Sequence, residues 1–462
     1  MGGCRGGAGA GEAEGAGGLA RGAERDVLAR RGDLDRDPED GGGYLPHGLG
    51  LRAAADQQRP LDRHPERADG VEARGQAPQH PLDGGASEVL ARRGCEGHAG
   101  LNRSTIGALV GELAAAGLVT ETVPDVPYRA GRPSPNVAAA TEVVAIAVNP
   151  EVDALTVAAI GLDRRVVLRE RTELPDVTGV EQVVAMTAER VARWRTDELA
   201  GCRVVGIGVA VPGLVRSADG LVRRAPHLDW TDEPLRDRLA AATGLETAID
   251  NDATLGALAE YLYGAARGVD DVVYLNGGAS GIGGGLVIAG RLVRGSGGYA
   301  GEIGQNRPGI ALPADRRSGA QGTVEDEVSR ARLLAAIGLH SADEPTLEAA
   351  ITMSPNAEIV AEVERQRRIL ATTLANAVNV LNPSVVVLGG FLATLLAHDA
   401  EALLAAVAAQ TMPANAEDLV LRSAALGEDR LLVGAAEIAF ARLLDDPVSV
   451  AGAPSSPAGS GA

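Results

Sequence analysis

The residues best suited to chemistry in this sequence are two carboxylates on either side of an amide, Asp250-Asn251-Asp252. They follow a strand-like segment at 246–249 and precede a helical pattern at 253–265. Carboxylate and amide oxygens at such a junction can accept hydrogen bonds from ligand hydroxyl groups in a fixed geometry. Alternatively, Asn251 and Asp252 simply cap the helix that follows. The two roles are compatible.

These residues belong to a region in which strands and helices alternate from residue 142 onwards. Three β-like runs come first, and a βββ-αβα pattern then appears twice, which predicts an α/β protein with two lobes and a cleft between them. The predicted strands are 143–148, 154–162, 165–171, 204–213, 246–249, 272–278, 282–290, 385–390 and 418–422. The predicted helices are 178–199, 234–243, 253–265, 356–380, 397–409 and 430–443.

A second candidate site is the helical segment 101–119. Asn102 is a good N-cap, and Gly117 is suited to end the helix. One face repeats apolar residues at helical spacing, namely Ile106, Leu109, Val110 and Leu113. The other face carries small or hydrogen-bonding groups that fit a DNA major groove, namely Arg103, Ser104, Thr105, Gly107, Ala108 and Gly111.

The segment 128–133 follows this helix and reads as a tight turn that presents Arg129 and Arg132. Such a turn suits a wing that contacts phosphate or the minor groove. The alternative is an ordinary amphipathic helix followed by a loop. The predicted DNA contacts are Asn102, Arg103, Ser104, Thr105, Arg129 and Arg132.

Composition restricts the classes of function. The 462 residues leave room for two or three domains, and the net charge of −19 means that any contact with DNA must be local. Every basic residue is an arginine. There is no apolar run of about 18 residues and no signal peptide, so we expect a cytoplasmic protein without a membrane partner. Three scattered cysteines (Cys4, Cys95 and Cys202) give no disulfide framework and no metal-ligand spacing.

The first hundred residues differ from the rest. They are rich in Gly, Ala, Arg, Asp and Pro and lack sustained periodicity, as in a disordered segment. The same composition fits GC-rich DNA translated in the wrong frame, with the true frame joining near Gly100. The sequence leaves both explanations open. The small, polar residues 446–462 are expected to be a disordered tail.

Five ordered motifs now allow a comparison with a known family. They are GIGVAVPGLV (206–215), LVRRAPHLDWTDEPL (221–235), IDNDATLGALAE (249–260), GSGGYAGEIG (295–304) and LNPSVVVLGG (381–390). From about residue 101 to 445 the chain resembles the ROK family of bacterial repressors and sugar kinases. The resemblance implies an actin-like, ribonuclease H-like ATPase core. For the repressor branch it also implies a preceding winged helix-turn-helix.

This resemblance gives expected domain boundaries. They are a disordered or wrong-frame segment at 1–100, the second half of the winged helix-turn-helix at 101–138, a first lobe at 139–253 plus 428–445, a second lobe at 254–427 and a tail at 446–462.

The resemblance also assigns roles in the cleft. Asp252 corresponds to the family's catalytic base, and Asn251 to a residue that binds sugar hydroxyls. Glu302 and Glu325 correspond to further sugar-binding carboxylates, although solvated loop acids are the alternative for both. The family's histidine after the Gly-Glu-x-Gly loop is replaced by Gln305, which keeps a donor and an acceptor but changes their reach.

The phosphate-binding half departs from the kinase pattern. Kinases of the family have an Asp-x-Gly-Gly-Thr turn, and here Val148–Asp153 has no glycine. Pro150 removes an amide donor, and Glu151 and Asp153 would repel ATP. The glycine run 281–285 remains, but it is equally typical of a tight entry into a strand.

The family's zinc motif is also replaced, because Arg316, Ser318 and Thr323 stand at its three cysteine positions. Such a set cannot hold Zn²⁺ tetrahedrally, so we expect no metal and no cofactor.

These features predict a ROK-type transcriptional regulator that senses a sugar or sugar phosphate and lacks kinase activity. Its expected partners are a double-stranded DNA operator, a small sugar effector and further copies of the chain in a homodimer or homotetramer. Ligand in the cleft would change the angle between the lobes and hence the spacing of two recognition helices. The alternatives are an active ROK sugar kinase with a divergent phosphate loop and a module that only binds sugar.

Overall fold

The structure is a computed structural model that describes residues 90–91, 102–123, 135–318, 322–354 and 356–447. Several predictions lie outside these ranges. They concern nearly all of the first hundred residues, the turn with Arg129 and Arg132, and the C-terminal tail.

The first described helix, α1 (Arg103–Ala115), begins where the sequence predicts. The Asn102 side-chain oxygen accepts a hydrogen bond from the Thr105 backbone N–H at 3.0 Å, so Asn102 is the N-cap. At the other end Gly117 has φ 69°, and the Leu118 N–H donates to the Leu113 carbonyl. This is the predicted glycine termination.

The predicted apolar face of α1 is only partly buried. Ile106 and Val110 are buried, whereas Leu109 is 36% exposed. At about 100° per residue, Leu109 lies about 60° from Ile106 and about 100° from Val110, at the margin of the face. A small antiparallel sheet accompanies the helix, with β1 (Leu90–Ala91), β2 (Val119–Thr122) and β3 (Asn136–Ala139) in the order β1–β3–β2.

Strands and helices alternate through the rest of the described chain. The strands are β4 (Val143–Pro150), β5 (Ala154–Gly161), β6 (Val166–Glu173), β7 (Arg203–Val211), β8 (Leu214–Arg216), β9 (Leu221–Ala225), β10 (Trp230–Glu233), β11 (Thr247–Asn251), β12 (Val272–Gly277), β13 (Ile282–Ile288), β14 (Arg291–Leu292), β15 (Val385–Gly390) and β16 (Val420–Ser423). The helices are α2 (Val180–Thr196), α3 (Leu235–Thr243), α4 (Asp252–Tyr263), α5 (Val324–Glu327), α6 (Arg330–Ile337), α7 (Glu344–Thr352), α8 (Ala357–Leu381), α9 (Phe391–His398), α10 (Ala400–Ala408), α11 (Pro413–Ala416) and α12 (Arg430–Asp445).

Two five-stranded sheets repeat one topology. Their orders are β11–β7–β4–β5–β6 in the first lobe and β16–β15–β12–β13–β14 in the second. In each sheet, three consecutive strands pair antiparallel and two further strands add in parallel. The βββ-αβα pattern seen twice in the sequence is therefore confirmed. A third sheet, β8–β9–β10, lies on the first lobe, where the Trp230 indole N–H donates to the Thr178 carbonyl at 2.9 Å.

The helix predicted at 397–409 is wrong in extent, because the structure has two helices there. The first begins at Phe391, directly after β15, since Gly390 with φ 59° lets the chain turn at once. Asp399 separates α9 from α10 and caps α10 by accepting the Ala402 N–H at 3.0 Å. No single helix in the described ranges is long and apolar enough to cross a membrane; α9 and α10 together meet the length and composition criteria but are bent by 93°.

The helices α5, α6 and α7 are missing from the sequence prediction. The first is a single turn, and each of the other two buries only two side chains, so no strong periodicity marks them.

The two sheets are joined through α4 and α12, which pack on each other between them, and glycines allow each close approach. A Cβ at Gly208 of β7 would overlap the Ala435 carbonyl of α12. A Cβ at Gly434 of α12 would overlap the Leu255 carbonyl of α4, and one at Gly283 of β13 would lie 2.6 Å from the Ala253 side chain of α4. The order from one lobe to the other is therefore sheet, helix, helix, sheet.

This packing gives a stability prediction. Gly434→Ala should destabilise the protein by about 1–3 kcal/mol, because overpacking against the Leu255 backbone outweighs the better helix propensity of alanine. Urea unfolding at equilibrium measures the change. Gly111→Ala is the matched helical control, since nothing lies within 4 Å of a Cβ at that position. Equal behaviour of the two variants would contradict the role of Gly434.

Candidate functional site

The Asp250-Asn251-Asp252 run lies at the end of β11 and the start of α4. Asn251 caps α4, because its side-chain oxygen accepts the Thr254 N–H at 3.0 Å. Its amide group donates to the Gly213 carbonyl at 3.0 Å and to Asp252 Oδ1 at 3.2 Å. The capping alternative is therefore confirmed for Asn251 but not for Asp252, which is the first residue of α4. The same bonds fix the pair beside the Pro-Gly turn that follows β7.

Asp250 faces across to the second lobe. Its buried carboxylate accepts a hydrogen bond from Arg294 Nε at 3.0 Å, and Arg294 follows β14 of the second sheet. Burial raises the pKa of Asp250, while the nearby Arg294 charge opposes this rise. Arg294 was not identified from the sequence, because its partner lies 44 residues away.

Asp252 is the most electrostatically perturbed of the predicted site residues. Removal from bulk water raises the pKa of this carboxyl to about 6. The Ala253 N–H, which donates at 2.8 Å, opposes the rise, and the charge of Glu302 adds to it. A carboxyl with a pKa near neutrality is typical of a functional site, although buried structural networks produce the same effect.

Glu302, Gln305 and Glu325 lie together beside Asp252. Desolvation raises the pKa of Glu302, and the charge of Glu325 adds to this effect. The Gln305 side-chain amide donates to Glu325 Oε1 at 2.6 Å, and the Ile282 N–H donates to Glu325 Oε2 at 3.2 Å. The structure thus brings the predicted sugar-side residues into one cluster.

The glycine run 281–285 packs against this cluster. A Cβ at Gly281, where φ is 142°, would lie 2.5 Å from Glu325 Oε2, and a Cβ at Gly284 would overlap the Gly301 carbonyl. The run therefore allows the Glu302 loop and α4 to approach β13. This packing role accounts for the glycines without a phosphate.

The turn between β4 and β5 is a closed hairpin. The Glu151 N–H donates to the Ala154 carbonyl at 2.8 Å, so this amide is already used within the turn. Glu151 is ion-paired with Arg171 of β6, and Asp153 lies 3.6 Å from the same guanidinium. The repulsion of ATP expected from the two acids is thus partly cancelled by Arg171, which the sequence did not reveal. Two departures from a phosphate-binding turn are unaffected by Arg171. The turn has no glycine, and the Glu151 N–H is already hydrogen-bonded to the Ala154 carbonyl.

Two buried side chains, Phe391 and Arg430, lie near the glycine pair Gly389-Gly390. The Phe391 ring lies 2.5 Å from where a Cβ of Gly277 would be. Arg430, 8% exposed, donates to Asn276 Oδ1 at 3.0 Å and to the Gly427 carbonyl. Neither residue was identified from the sequence.

The residues at the family's cysteine positions do not fit zinc. Arg316 donates to the Ile310 carbonyl at 3.1 Å, Ser318 donates to the Asp326 carbonyl at 3.1 Å, and Thr323 caps α5. Among the described residues, no group of three His, Cys, Asp or Glu side chains could hold a metal ion. No cleft chemistry is assigned to a metal here.

The predicted DNA contacts at the start of α1 are all exposed, namely Asn102, Arg103, Ser104 and Thr105. Asn102 Oδ1 also accepts hydrogen bonds from Ser104 Oγ at 2.6 Å and Thr105 Oγ1 at 3.0 Å. The first turn of α1 is thus preorganised by its own cap. Arg103 is exposed in the same turn.

The raised pKa of Asp252 predicts the direction in which the stability of the protein changes with pH. The folded state holds this proton more tightly than the unfolded state, so the wild type should lose stability as the pH rises from about 4 to about 6. Asp252→Asn should therefore stabilise the protein at pH 8 and lose this advantage below pH 4. The gain has an upper limit of about 3 kcal/mol, since a tenfold change in proton affinity corresponds to about 1.4 kcal/mol.

Urea unfolding of both proteins at several pH values measures this difference. Asp219→Asn is the control of opposite sign, because the Arg216 hydrogen bond lowers the pKa of the exposed Asp219 to about 2. A gain for Asp252→Asn that does not change between pH 4 and pH 8 would refute the assignment.

Similar proteins include both repressors and sugar kinases. A xylose repressor from Caldicellulosiruptor bescii is 32% identical over 202 residues, which are 40% of this chain and 50% of the repressor. A glucokinase from Halalkalibacterium halodurans is 28% identical over 247 residues, which are 50% of this chain and 74% of the glucokinase. The chain thus spans about half the length of the xylose repressor that it matches.

The similar solved structures also include a regulator and a sugar kinase. A ROK family transcriptional regulator, described as a homologue of the E. coli MLC protein, superposes with a TM-score of 0.63 at 23% identity and covers 80% of this chain and 98% of that one. A ROK hexokinase from Thermus thermophilus superposes with a TM-score of 0.53 at 28% identity and covers 65% of this chain and 99% of that one. The sequence profile of the ROK family matches residues 145–442, well over half of the sequence. The chain therefore belongs to the ROK family.

Proposed function

We propose that this chain is a ROK-type transcriptional regulator that binds double-stranded DNA through residues 101–138 and senses a sugar in the cleft without phosphorylating it. The observation that carries the proposal is the contrast between the two halves of the cleft. The acids and the glutamine around Asp252 that we propose to bind hydroxyl groups are clustered, whereas the β4–β5 turn is a closed hairpin without glycine. The similarity to xylose repressors supports the regulatory role.

The competing function is a sugar kinase. It is favoured by the similarity to glucokinases and by the retention of Asp252, which corresponds to the family's catalytic base. Phosphoryl transfer requires backbone amides and cations arranged around the phosphates. The Glu151 amide is used within the hairpin, and the Arg430 guanidinium is already bonded to Asn276, which lies beside Gly389. These contacts favour binding without transfer.

The effector is proposed to bind through Asn251, Asp252, Glu302, Gln305 and Glu325. Carboxylates accept hydrogen bonds from several hydroxyl groups and repel a phosphate. Burial raises the pKa values of Asp252 and Glu302, and the charges of the neighbouring acids add to the rise, Glu302 for Asp252 and Glu325 for Glu302. A neutral sugar therefore fits the cluster better than a sugar phosphate.

A continuous apolar cluster offers a route from this site to α1. It contains Leu255, one turn after Asp252, then Leu432 and Phe440 on α12, and then Leu118 after α1. Leu113 of α1 packs against the same cluster. A change in the angle between the lobes would move α12 and thereby α1. In a homodimer or homotetramer, this shift would change the spacing of the recognition helices on the operator.

For DNA, we propose contacts from Asn102, Arg103, Ser104 and Thr105 at the start of α1, with Arg129 and Arg132 on the wing. The lobes are proposed to comprise 139–253 plus 428–445 and 254–427.

The first prediction from this proposal concerns catalysis. The purified full chain should release no measurable ADP from ATP across a panel of hexoses, pentoses and amino sugars, because the phosphate side lacks the required amides. A coupled ADP-release assay, with a ROK glucokinase as the positive control, tests this. Turnover that Asp252→Asn abolishes would establish the kinase alternative.

The second prediction concerns the effector. Glu302→Ala and Asp252→Ala should each weaken binding of the cognate sugar by roughly ten-fold to a hundred-fold, since an unpaired buried hydroxyl partner costs about 1–3 kcal/mol. Basal affinity for DNA should stay unchanged. Titration calorimetry with neutral and phosphorylated sugars measures the effect. The matched control is Glu246→Ala, an exposed glutamate that pairs with Arg442.

Two outcomes would refute the sensor. One is that no neutral or phosphorylated sugar binds at millimolar concentration. The other is that both cleft variants bind sugar as tightly as Glu246→Ala.

A further inference from the structure

The one-turn helix α5 carries two glutamates with different surroundings. Glu325 is bonded to Gln305 and to the Ile282 N–H in the cleft cluster. Glu327 has no exposed surface. Residues two positions apart on a helix point about 160° away from each other, so the two carboxylates lie on opposite sides of α5. A contact that holds Glu327 also holds the backbone turn from which the Glu325 side chain extends. A single helical turn is unstable in isolation and needs such an anchor.

Glu327 is bonded to the loop before α5 and to the long helix α8. Its carboxylate accepts the backbone N–H of Arg317 at 2.9 Å and that of Ser318 at 2.8 Å. It also accepts a hydrogen bond from Arg365 Nη1 at 3.0 Å. Arg365 is only 1% exposed, so this is a buried ion pair that contains further hydrogen bonds.

Arg365 connects three segments through one guanidinium. Nη1 also donates to the Asp315 carbonyl at 2.8 Å, and Nη2 donates to the Glu327 carbonyl at 2.6 Å. Nη2 and Nε donate to the two carboxylate oxygens of Glu362 at 2.7 and 2.9 Å. Each of the five N–H donors of Arg365 therefore has an acceptor, as burial of a guanidinium requires.

We propose that Glu327 and Arg365 are positioning residues for the effector site. They fix residues 315–318 and 322–327 and so hold Glu325 and Gln305 in place, as a metal would if cysteines stood at positions 316, 318 and 323. The geometry supports this substitution, because the Glu327 carboxylate binds the backbone on both sides of position 317. The part of this inference that concerns the effector rests on the proposed function, whereas the anchoring of α5 does not.

The simpler alternative is a buried ion pair that stabilises the fold and has no influence on the cleft. It would lower the stability of a variant without changing the environment of Glu325. Two measurements separate these possibilities, namely amide hydrogen exchange at Ile282 and Val324 and the affinity for sugar. Both are made on the full chain well below its unfolding temperature.

The test variants are Glu327→Gln and Arg365→Lys, which conserve shape or charge and so limit the risk of unfolding. The control is Glu364→Gln, which breaks an ion pair with Arg367 on the same helix. We expect exchange at Ile282 and Val324 to accelerate by about ten-fold or more in both test variants but not in the control. Affinity for a neutral sugar should fall by roughly ten-fold.

A double-mutant cycle tests whether Glu327 acts through Glu325. Combined with Glu325→Ala, Glu327→Gln should cause no further loss of affinity. An equal loss in both backgrounds, or unchanged exchange in both test variants, would overturn the proposal. If EDTA accelerates exchange in the wild type, a metal orders the segment and the proposal is wrong. If the wild type binds no sugar, the proposed function fails, and the exchange measurement still decides the anchoring of α5.

Discussion

The close packing of α4 and α12 between the two sheets is the constraint on which the rest of the structure depends. Gly208, Gly283 and Gly434 permit backbone approaches that any Cβ would prevent. Because the interior is packed this densely, it adjusts by small shifts of whole elements rather than by local compression. The start of α4, and with it Asn251 and Asp252, is therefore held at the junction of the lobes.

This packing also relates the cleft to α1, the proposed DNA-binding helix. The apolar cluster that contains Leu255 of α4 continues through Leu432 and Phe440 of α12 to Leu118 and Leu113 beside α1. Spatial continuity alone does not demonstrate coupling; a two-state element that both sites bias is needed. The angle between the lobes is such an element in the proposed mechanism, and α12 is the helix that contacts both the first sheet and α4.

The sequence predicted what depends on local pattern. The repeated βββ-αβα order, the cap at Asn102 and the cap at Asn251 all follow from periodicity or from neighbouring residues. The pairs Asp250–Arg294 and Glu327–Arg365 could not be predicted, because their members lie 44 and 38 residues apart and no periodicity relates them. Phe391 was missed for another reason: it looks like an ordinary core residue, and its position over Gly277 depends on the register of β12 and β15.

Ion pairs with arginine allow the protein to fold with several carboxylates in and around the cleft. In a kinase, cations and amides face the phosphates of the nucleotide. Here Arg171 pairs with Glu151, Arg294 with Asp250 and Arg365 with Glu327, so these guanidinium groups already bind carboxylates of the protein. Of these three arginines only Arg365 is buried, and arginine suits that position because its planar guanidinium can donate to several acceptors at once, which a lysine ammonium does less well. Among the described acids of the cleft, Asp252, Glu302 and Glu325 form no ion pair with an arginine, and these three are grouped on the proposed sugar side. Hydroxyl groups satisfy such acids without adding charge, which supports the proposal of a neutral sugar as the effector.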